Sequence, residues 1–257
     1  MPSSVLRRLA LLGLAGLGAA CASPREDAID HVEGEAPIVG DDRADGEQPS
    51  VVRLAISQDG LAYTCTGTLL GSRTVITARH CLEKRLGPGG SCDVKVFLDR
   101  TGVGTTDART EQYTASLCEI REPDKSLSAS RDVATIRLGT KVPSPPVATI
   151  AEPWETNDDY DVYGYGSWGE PPFVGVTCSN HSNGHKRKAH YRGRLGFRLG
   201  QTTCPGDSGG PHFIAGTSKL AGITSTGYAV WVAYEMNTEL GPHIAWVRDR
   251  LRTYEAP

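Results

Sequence analysis

Cys204-Pro205-Gly206-Asp207-Ser208-Gly209-Gly210-Pro211 sets a serine among glycines beside an aspartate, and two distant stretches give it meaning. Thr77-Ala78-Arg79-His80-Cys81 supplies an imidazole, and Arg131-Asp132-Val133-Ala134-Thr135-Ile136-Arg137-Leu138 supplies a carboxylate ahead of an apolar run. A serine hydroxyl is a weak nucleophile until a neighbouring base takes its proton. A neutral imidazole in turn needs a carboxylate to fix its tautomer and steady the imidazolium that forms. Read singly, Ser208 is a turn residue, His80 a partly buried polar side chain and Asp132 a strand end. Read together, in this order and with these flanks, Ser208, His80 and Asp132 form a candidate nucleophile, base and orienting acid.

Composition bounds the rest. A chain of 257 residues, 39% hydrophobic and 22% charged, can bury a sizeable core and is neither disordered nor fibrous. With Gly 30 and Pro 16 between short alternating apolar runs, turns and short strands are favoured over long helices, so the expected class is all-β. A net charge of -3 gives no support to nucleic-acid binding. No cofactor is expected. The cysteines lack tight metal-ligand spacing, so no metal site is expected either.

Strand-like runs include Val51 to Ile56, Leu69-Leu70 and Val75-Ile76, the last leading directly into His80. Val94, Val96 and Leu98 alternate, and Val133, Ile136 and Leu138 follow Asp132. Val142-Pro143-Ser144-Pro145-Pro146-Val147 is a semi-rigid segment dividing the chain into halves, 38–145 and 146–257. Asp161 to Gly166 opens the second half, which continues through Leu220–Ser225 and Ala229–Tyr234. Pro242, then Ile244, Val247 and Leu251, predict one amphipathic terminal helix. The basic run between His181 and Arg194 reads as a solvated loop, with an acidic substrate or lipid headgroup as the other reading.

The motifs around Ser208, His80 and Asp132 resemble those of the trypsin/chymotrypsin serine endopeptidases over roughly residues 38 to 252. The resemblance implies two six-stranded antiparallel Greek-key barrels, the active site between them and a C-terminal helix. It implies hydrolysis of protein or peptide substrates through an acyl-enzyme, with an oxyanion hole from the backbone N–H groups of Gly206 and Ser208. Asp161-Val162-Tyr163-Gly164-Tyr165-Gly166 matches the family's Gly-aromatic-Gly strand. Ile38-Val39-Gly40 resembles the mature N-terminus, whose freed α-amino group pairs with Asp207. Pro37 before that bond and Asp41 after Gly40 depart from the family pattern, so self-activation by a basic-specific enzyme is not expected.

The specificity pocket implied by the resemblance comprises Thr202, Thr203, Ser225, Gly227 and Val232. Neutral Thr202 stands where trypsin-like members carry an acid, so cleavage after Arg or Lys is disfavoured and small or medium apolar residues are expected. Arg79, directly before the base, is a cation expected to depress its pKa. Cys65 and Cys81 match the family's bridge before the catalytic His. Sequence order pairs Cys92 with Cys118 and Cys178 with Cys204, although six cysteines allow many connectivities.

The N-terminus reads differently. Arg7 and Arg8 precede an apolar, glycine-containing run from Leu9 to Ala20, a secretory signal over residues 1–20 that is too short to span a bilayer stably. Leu17-Gly18-Ala19-Ala20-Cys21 resembles a bacterial lipoprotein processing site, with Cys21 lipidated; ordinary cleavage nearby is the alternative. Lipidation of Cys21 would leave an even number of cysteines for pairing. Residues 21–37, polar and acidic, then form a tether or pro-segment. The expectation is an exported monomer, held on the periplasmic or outer surface by lipid or freely secreted, touching membrane only through that lipid.

Two rival classes fit parts of this pattern. Gly206-Asp207-Ser208-Gly209-Gly210 also matches the nucleophile elbow of α/β-hydrolases, but that fold needs an acid and then a histidine after the serine, on a parallel sheet. A catalytically silent binding module that kept the barrels is the non-enzymatic alternative. Such modules usually lose a triad member, and none is lost here.

Overall fold

A computed structural model describes residues 43–257 apart from 59–60, 107–109, 122–131, 153–154, 156–158, 167–168, 171–176, 179–183, 193–194, 196, 200–202 and 230–232. All of these belong to one compact unit, Glu33–Pro257. The signal segment, Cys21 and Ile38 lie outside the described residues.

The first half builds a barrel from β-branched and alternating runs. Its strands are β1 (Val51–Gln58), β2 (Leu61–Leu69), β3 (Thr74–Thr77), β4 (Val94–Leu98), β5 (Glu111–Ile120) and β6 (Ala134–Leu138). They close in the order β1-β2-β3-β6-β5-β4, every pairing antiparallel, with β4 returning to β1. In β4 the period-two pattern is plain: Val94, Val96 and Leu98 are buried while Lys95 is exposed. β3, Thr-Val-Ile-Thr, is buried at every position and ends one residue before the turn carrying His80. Burying side chains such as Val75, Ile76, Val96 and Ile136 stabilises the fold by about 1.5–3 kcal/mol each relative to exposure.

The second half holds β7 (Thr149–Ile150), β8 (Asp159–Gly164), β9 (Gly169–Glu170), β10 (Thr177–Cys178), β11 (Arg187–Arg192), β12 (Phe197–Leu199), β13 (Pro211–Ile214), β14 (Lys219–Ala229) and β15 (Ala233–Glu239). A sheet runs β11-β8-β13-β14-β15-β12, with β7 joined to β14 in parallel and β9 and β10 forming a separate pair. The mostly β architecture, a closed six-stranded barrel, a second sheet and a terminal helix, is the expected class. The run read as one strand over 229–234 divides between two: Ala229 ends β14 and pairs with Ala233 of β15. Tyr228 to Tyr234 has no Gly, Pro, Asn or Asp to mark the change of direction.

Helix α1 (Ile244–Glu255) follows a tight turn containing Pro242 and buries Ile244, Val247 and Tyr254. It packs on β3 and β6 of the first barrel, so the end of the chain braces the half that carries the histidine. At its last turn the Glu255 carboxylate accepts from Ser72 N–H, Ser72 Oγ, Arg73 N–H and Thr74 Oγ1, at 3.1, 2.6, 2.8 and 2.8 Å. These bonds tie the helix to the β2–β3 turn.

Disulfides join Cys65 to Cys81 and Cys92 to Cys118. Cys204 is also disulfide-bonded. The Cys178 side chain lies outside the described residues, so its pairing with Cys204 stays an expectation.

The basic run is not a solvated loop where it is described. Lys186 is 0% and Arg187 2% exposed, and β11 begins at Arg187. The reason is distant acid: Asp45 accepts from Lys186 N–H at 2.9 Å and contacts His185 Nδ1 at 2.6 Å. The Lys186 ammonium donates to Gln48 O at 3.2 Å and lies 6.0 Å from the Tyr165 ring centroid.

Candidate active site

The histidine is delivered by β3. After Thr77 the chain enters a single 3-10 turn, Arg79–Cys81, and the Cys65–Cys81 bridge fastens that turn to β2. Arg85, one turn on, donates to the carbonyls of His80 and Cys81 at 3.1 and 2.9 Å and lies 4.0 Å over the Tyr63 ring. Both carbonyls are thereby satisfied beside a cation–π contact. Arg79 turns away from solvent: its side chain is 0% exposed and its Nε stands 3.5 Å from Glu83. Its charge is therefore met by Glu83, four residues on.

Asp132 stands just ahead of β6, which pairs with β3, so the sheet register brings acid and histidine together. Asp132 Oδ2 lies 2.7 Å from His80 Nδ1, and Oδ1 accepts the His80 backbone N–H at 2.8 Å. Ser225 Oγ donates to the same Oδ2 at 2.5 Å. Burial acts to raise the Asp132 carboxyl, but hydrogen bonding and charge from His80, the Ser225 hydroxyl and the His80 N–H outweigh it. The net effect holds Asp132 below the usual carboxylate range. An ionised carboxylate only accepts, so Nδ1 carries the proton and the Nε2 lone pair is left available as a base. The carboxylate is nearly covered, at 4% side-chain exposure, while the imidazole keeps 31%.

Ser208 is partly exposed, and its main chain lies near the His80 turn. Cys81 Sγ marks the proximity, 4.0 Å from His80 Nε2 and 3.8 Å from the Ser208 carbonyl oxygen. The loop around Ser208 is tightly wound. Asp207 N–H donates to Cys204 O at 3.0 Å, Gly210 N–H to Asp207 O at 2.8 Å and Gly209 N–H to Thr224 O at 2.8 Å. Gly206 has φ +105, a conformation L side chains rarely adopt, and a Cβ there would lie 2.9 Å from Gly166 Cα.

Asp207 is fully buried and accepts from Gly166 N–H and Cys204 N–H at 2.7 and 2.8 Å. A Cβ on Gly166 would sit 2.5 Å from this carboxylate, which explains the glycine after Tyr165. Ile38, its expected partner, lies outside the described residues.

Of the expected pocket, Thr202 and Val232 also fall outside the described residues. Thr203 is buried, and Gly227 lies in β14 opposite Glu235. Ser225 is engaged by Asp132, a role that the sequence reading, which set it in a pocket wall, did not assign. Thr66, whose hydroxyl donates to the Gly206 carbonyl at 2.8 Å, is another residue that the sequence signals only by its place next to the bridging Cys65. Among the described residues no group of three or more His, Cys, Asp or Glu could hold a metal ion.

The family model for Trypsin matches residues 37–240. A trypsin of Simulium vittatum is 27% identical over 256 residues, covering 88% of this chain and 94% of its own length. Cationic trypsin-3 of Rattus norvegicus is 25% identical, covering 85% and 88%, and hypodermin-B of Hypoderma lineatum is 28% identical, covering 74% and 77%. The matched span takes in both sheets, the His80 turn and the Ser208 loop, so the chain belongs to the trypsin family and is a serine endopeptidase.

Proposed function

We propose that Ser208, His80 and Asp132 act as a catalytic triad in an exported endopeptidase of bacterial type, anchored through lipid at Cys21. The observation that carries the triad is the half-open imidazole of His80, bonded through Nδ1 to a nearly covered, ionised Asp132. Ser208 Oγ attacks the peptide carbonyl as His80 Nε2 takes its proton, and the N–H groups of Gly206 and Ser208 receive the oxyanion. Collapse expels the amine, to which His80 returns the proton, leaving an ester on Ser208. Water, activated by the same imidazole, then hydrolyses that ester and frees the acid product.

Cleavage before Ile38 frees an amino group to pair with buried Asp207, separating a signal (1–20) and tether (21–37) from the two halves, 38–145 and 146–257. Support comes from the Ile38-Val39-Gly40 motif and from the depth of Asp207, where an added ammonium gains a buried partner. The neutral Thr202 argues against Arg and Lys at the cleaved position and for small or medium apolar residues, within a pocket also formed by Thr203, Ser225, Gly227 and Val232. The enzyme works as a monomer on protein or peptide substrates, without a cofactor.

The test is labelling of the purified protein with a fluorophosphonate, followed by peptide mapping and N-terminal sequencing. The reading expects the adduct on Ser208 and an Ile38 terminus, with lipid on any Cys21-containing form. An adduct elsewhere overturns the triad; Ser208 labelling with the tether still attached overturns only the cleavage step.

A further inference from the structure

We propose that Thr66 is a positioning residue for the oxyanion-binding loop, acting through hydrogen bonds to the main chain on both sides of Asp207. This rests on the assignment of Gly206 and Ser208 as oxyanion donors.

Thr66 lies in β2, next to the bridging Cys65, and is 0% exposed. Its backbone N–H donates to the Ser208 carbonyl at 2.8 Å, and its hydroxyl donates to the Gly206 carbonyl at 2.8 Å. The same hydroxyl accepts the Tyr165 N–H at 2.9 Å, and the Thr66 carbonyl accepts the Thr77 hydroxyl at 2.7 Å. One residue of the first barrel thus holds the nucleophile loop of the second half, the Gly-Tyr-Gly strand end and β3, which leads to His80. A hydroxyl has one proton to give and lone pairs to receive, and both functions are used here.

The Gly206 bond matters for a specific reason. Gly206 has no side chain to limit its rotation, and its φ of +105 lies where only glycine is at ease. Its carbonyl and the Asp207 N–H belong to one planar peptide. Thr66 holds the carbonyl end of that plane, and Cys204 O holds the N–H end at 3.0 Å. With this plane fixed, the Gly206 N–H is set relative to it by the two torsions of Gly206 alone, about N–Cα and about Cα–C. Without the hydroxyl, the carbonyl loses its buried partner and the plane is free to tilt, turning the Gly206 N–H from the oxyanion. A main-chain contact from residue 66 survives any substitution except proline, so the two hydroxyl bonds, to Gly206 O and from Tyr165 N–H, can be removed while the Thr66 N–H bond to Ser208 stays.

The experiment compares Thr66→Val, which keeps the shape and removes the hydroxyl, with Thr66→Ser, which restores it. Each is assayed for kcat and KM on a peptide amide, and for affinity toward a peptide boronate, which forms a tetrahedral adduct, and toward the product acid, which does not. Losing an oxyanion donor outright lowers kcat by about 100- to 1,000-fold, so mis-setting one donor is expected to lower it about 10- to 100-fold. KM should stay within about 2-fold, boronate affinity should fall with kcat, and product affinity should hold, because the oxyanion exists only in the tetrahedral state. Thr66→Ser should recover most of kcat. Should Thr66→Val fail to fold, Thr66→Ala carries the same comparison. Wild-type kcat in the hydroxyl-less variant, or a loss confined to KM, overturns the proposal. Activity that persists in Ser208→Ala overturns the underlying site assignment instead, so the two failures are separable.

Discussion

Ser225 Oγ and His80 Nδ1 converge on a single oxygen of Asp132, at 2.5 and 2.7 Å. The carboxylate is therefore held from both sides, and its remaining oxygen is occupied by the His80 N–H. Asp132→Asn would replace that acceptor by an amide able to donate to Nδ1, which would put the imidazole proton on Nε2 and remove the base. We expect kcat to fall about 10,000-fold with little change in KM. Ser225→Ala leaves the His80–Asp132 bond in place, so a much smaller loss is expected, readable in the same steady-state assay.

The Cys65–Cys81 bridge closes a short loop, at a sequence separation of 16, between β2 and the His80 turn. Replacing both cysteines by alanine should lower unfolding stability by about 3 kcal/mol, measured by urea denaturation. Replacement should also lower kcat, because the turn carrying His80 loses its tie to the strand that holds the Ser208 loop.

Much of this is legible in the residues themselves. His80, Asp132 and Ser208 each sit in a short motif whose chemistry is local, and the strand runs around Val75, Val96 and Ile136 carry their own periodicity. Thr66 and Ser225 are not legible as partners, since their bonds reach Gly206 and Asp132 across separations of 140 and 93 residues that only the packing of the two halves closes. Lys186 misleads for the same reason. A run of basic residues looks solvated when the acids that receive it, Asp45 and Asp99, lie far back in the chain.

Lys186 gives the folded state an alkaline signature. Burial lowers its pKa, and Asp99, Asp45 and Glu47 restore only part, leaving it at about 8 against the ordinary 10.5. Between those values the unfolded chain holds a proton that the folded one has released, so stability should rise with pH across that window. The slope approaches about 1.4 kcal/mol per pH unit. Above about 10 the trend should reverse: burial raises the Tyr163 and Tyr165 hydroxyls, so the unfolded chain ionises first. Urea midpoints from pH 7 to 11 check both limbs, and Lys186→Met should flatten the first.

Glu255 should matter at the acid end. Burial acts to raise its carboxyl, but the bonds from Ser72, Arg73 and Thr74 hold it below the usual carboxylate range. Asp99 is lowered in the same way, burial opposed by bonds from Gly104, Gly102 and Thr101. Such groups add stability above the ordinary carboxylate pKa and lose it as pH falls through the depressed value. Glu255→Gln should therefore reduce stability near neutrality by about 0.5–1.5 kcal/mol, solvent screening of the half-open carboxylate weakening the bonds, and shrink the difference from wild type at low pH. Thermal melts at pH 7 and pH 3 read both effects.

The central claim is that Ser208 carries the acyl group, activated by His80. The most direct measurement is to mix the enzyme with a chromogenic ester, quench with acid while the intermediate is populated, digest, and locate the added acyl mass. We predict the acyl group on the peptide containing Ser208, absent in Ser208→Ala and formed far more slowly in His80→Ala. Acyl mass on another residue, or undiminished ester turnover in Ser208→Ala, would contradict the account.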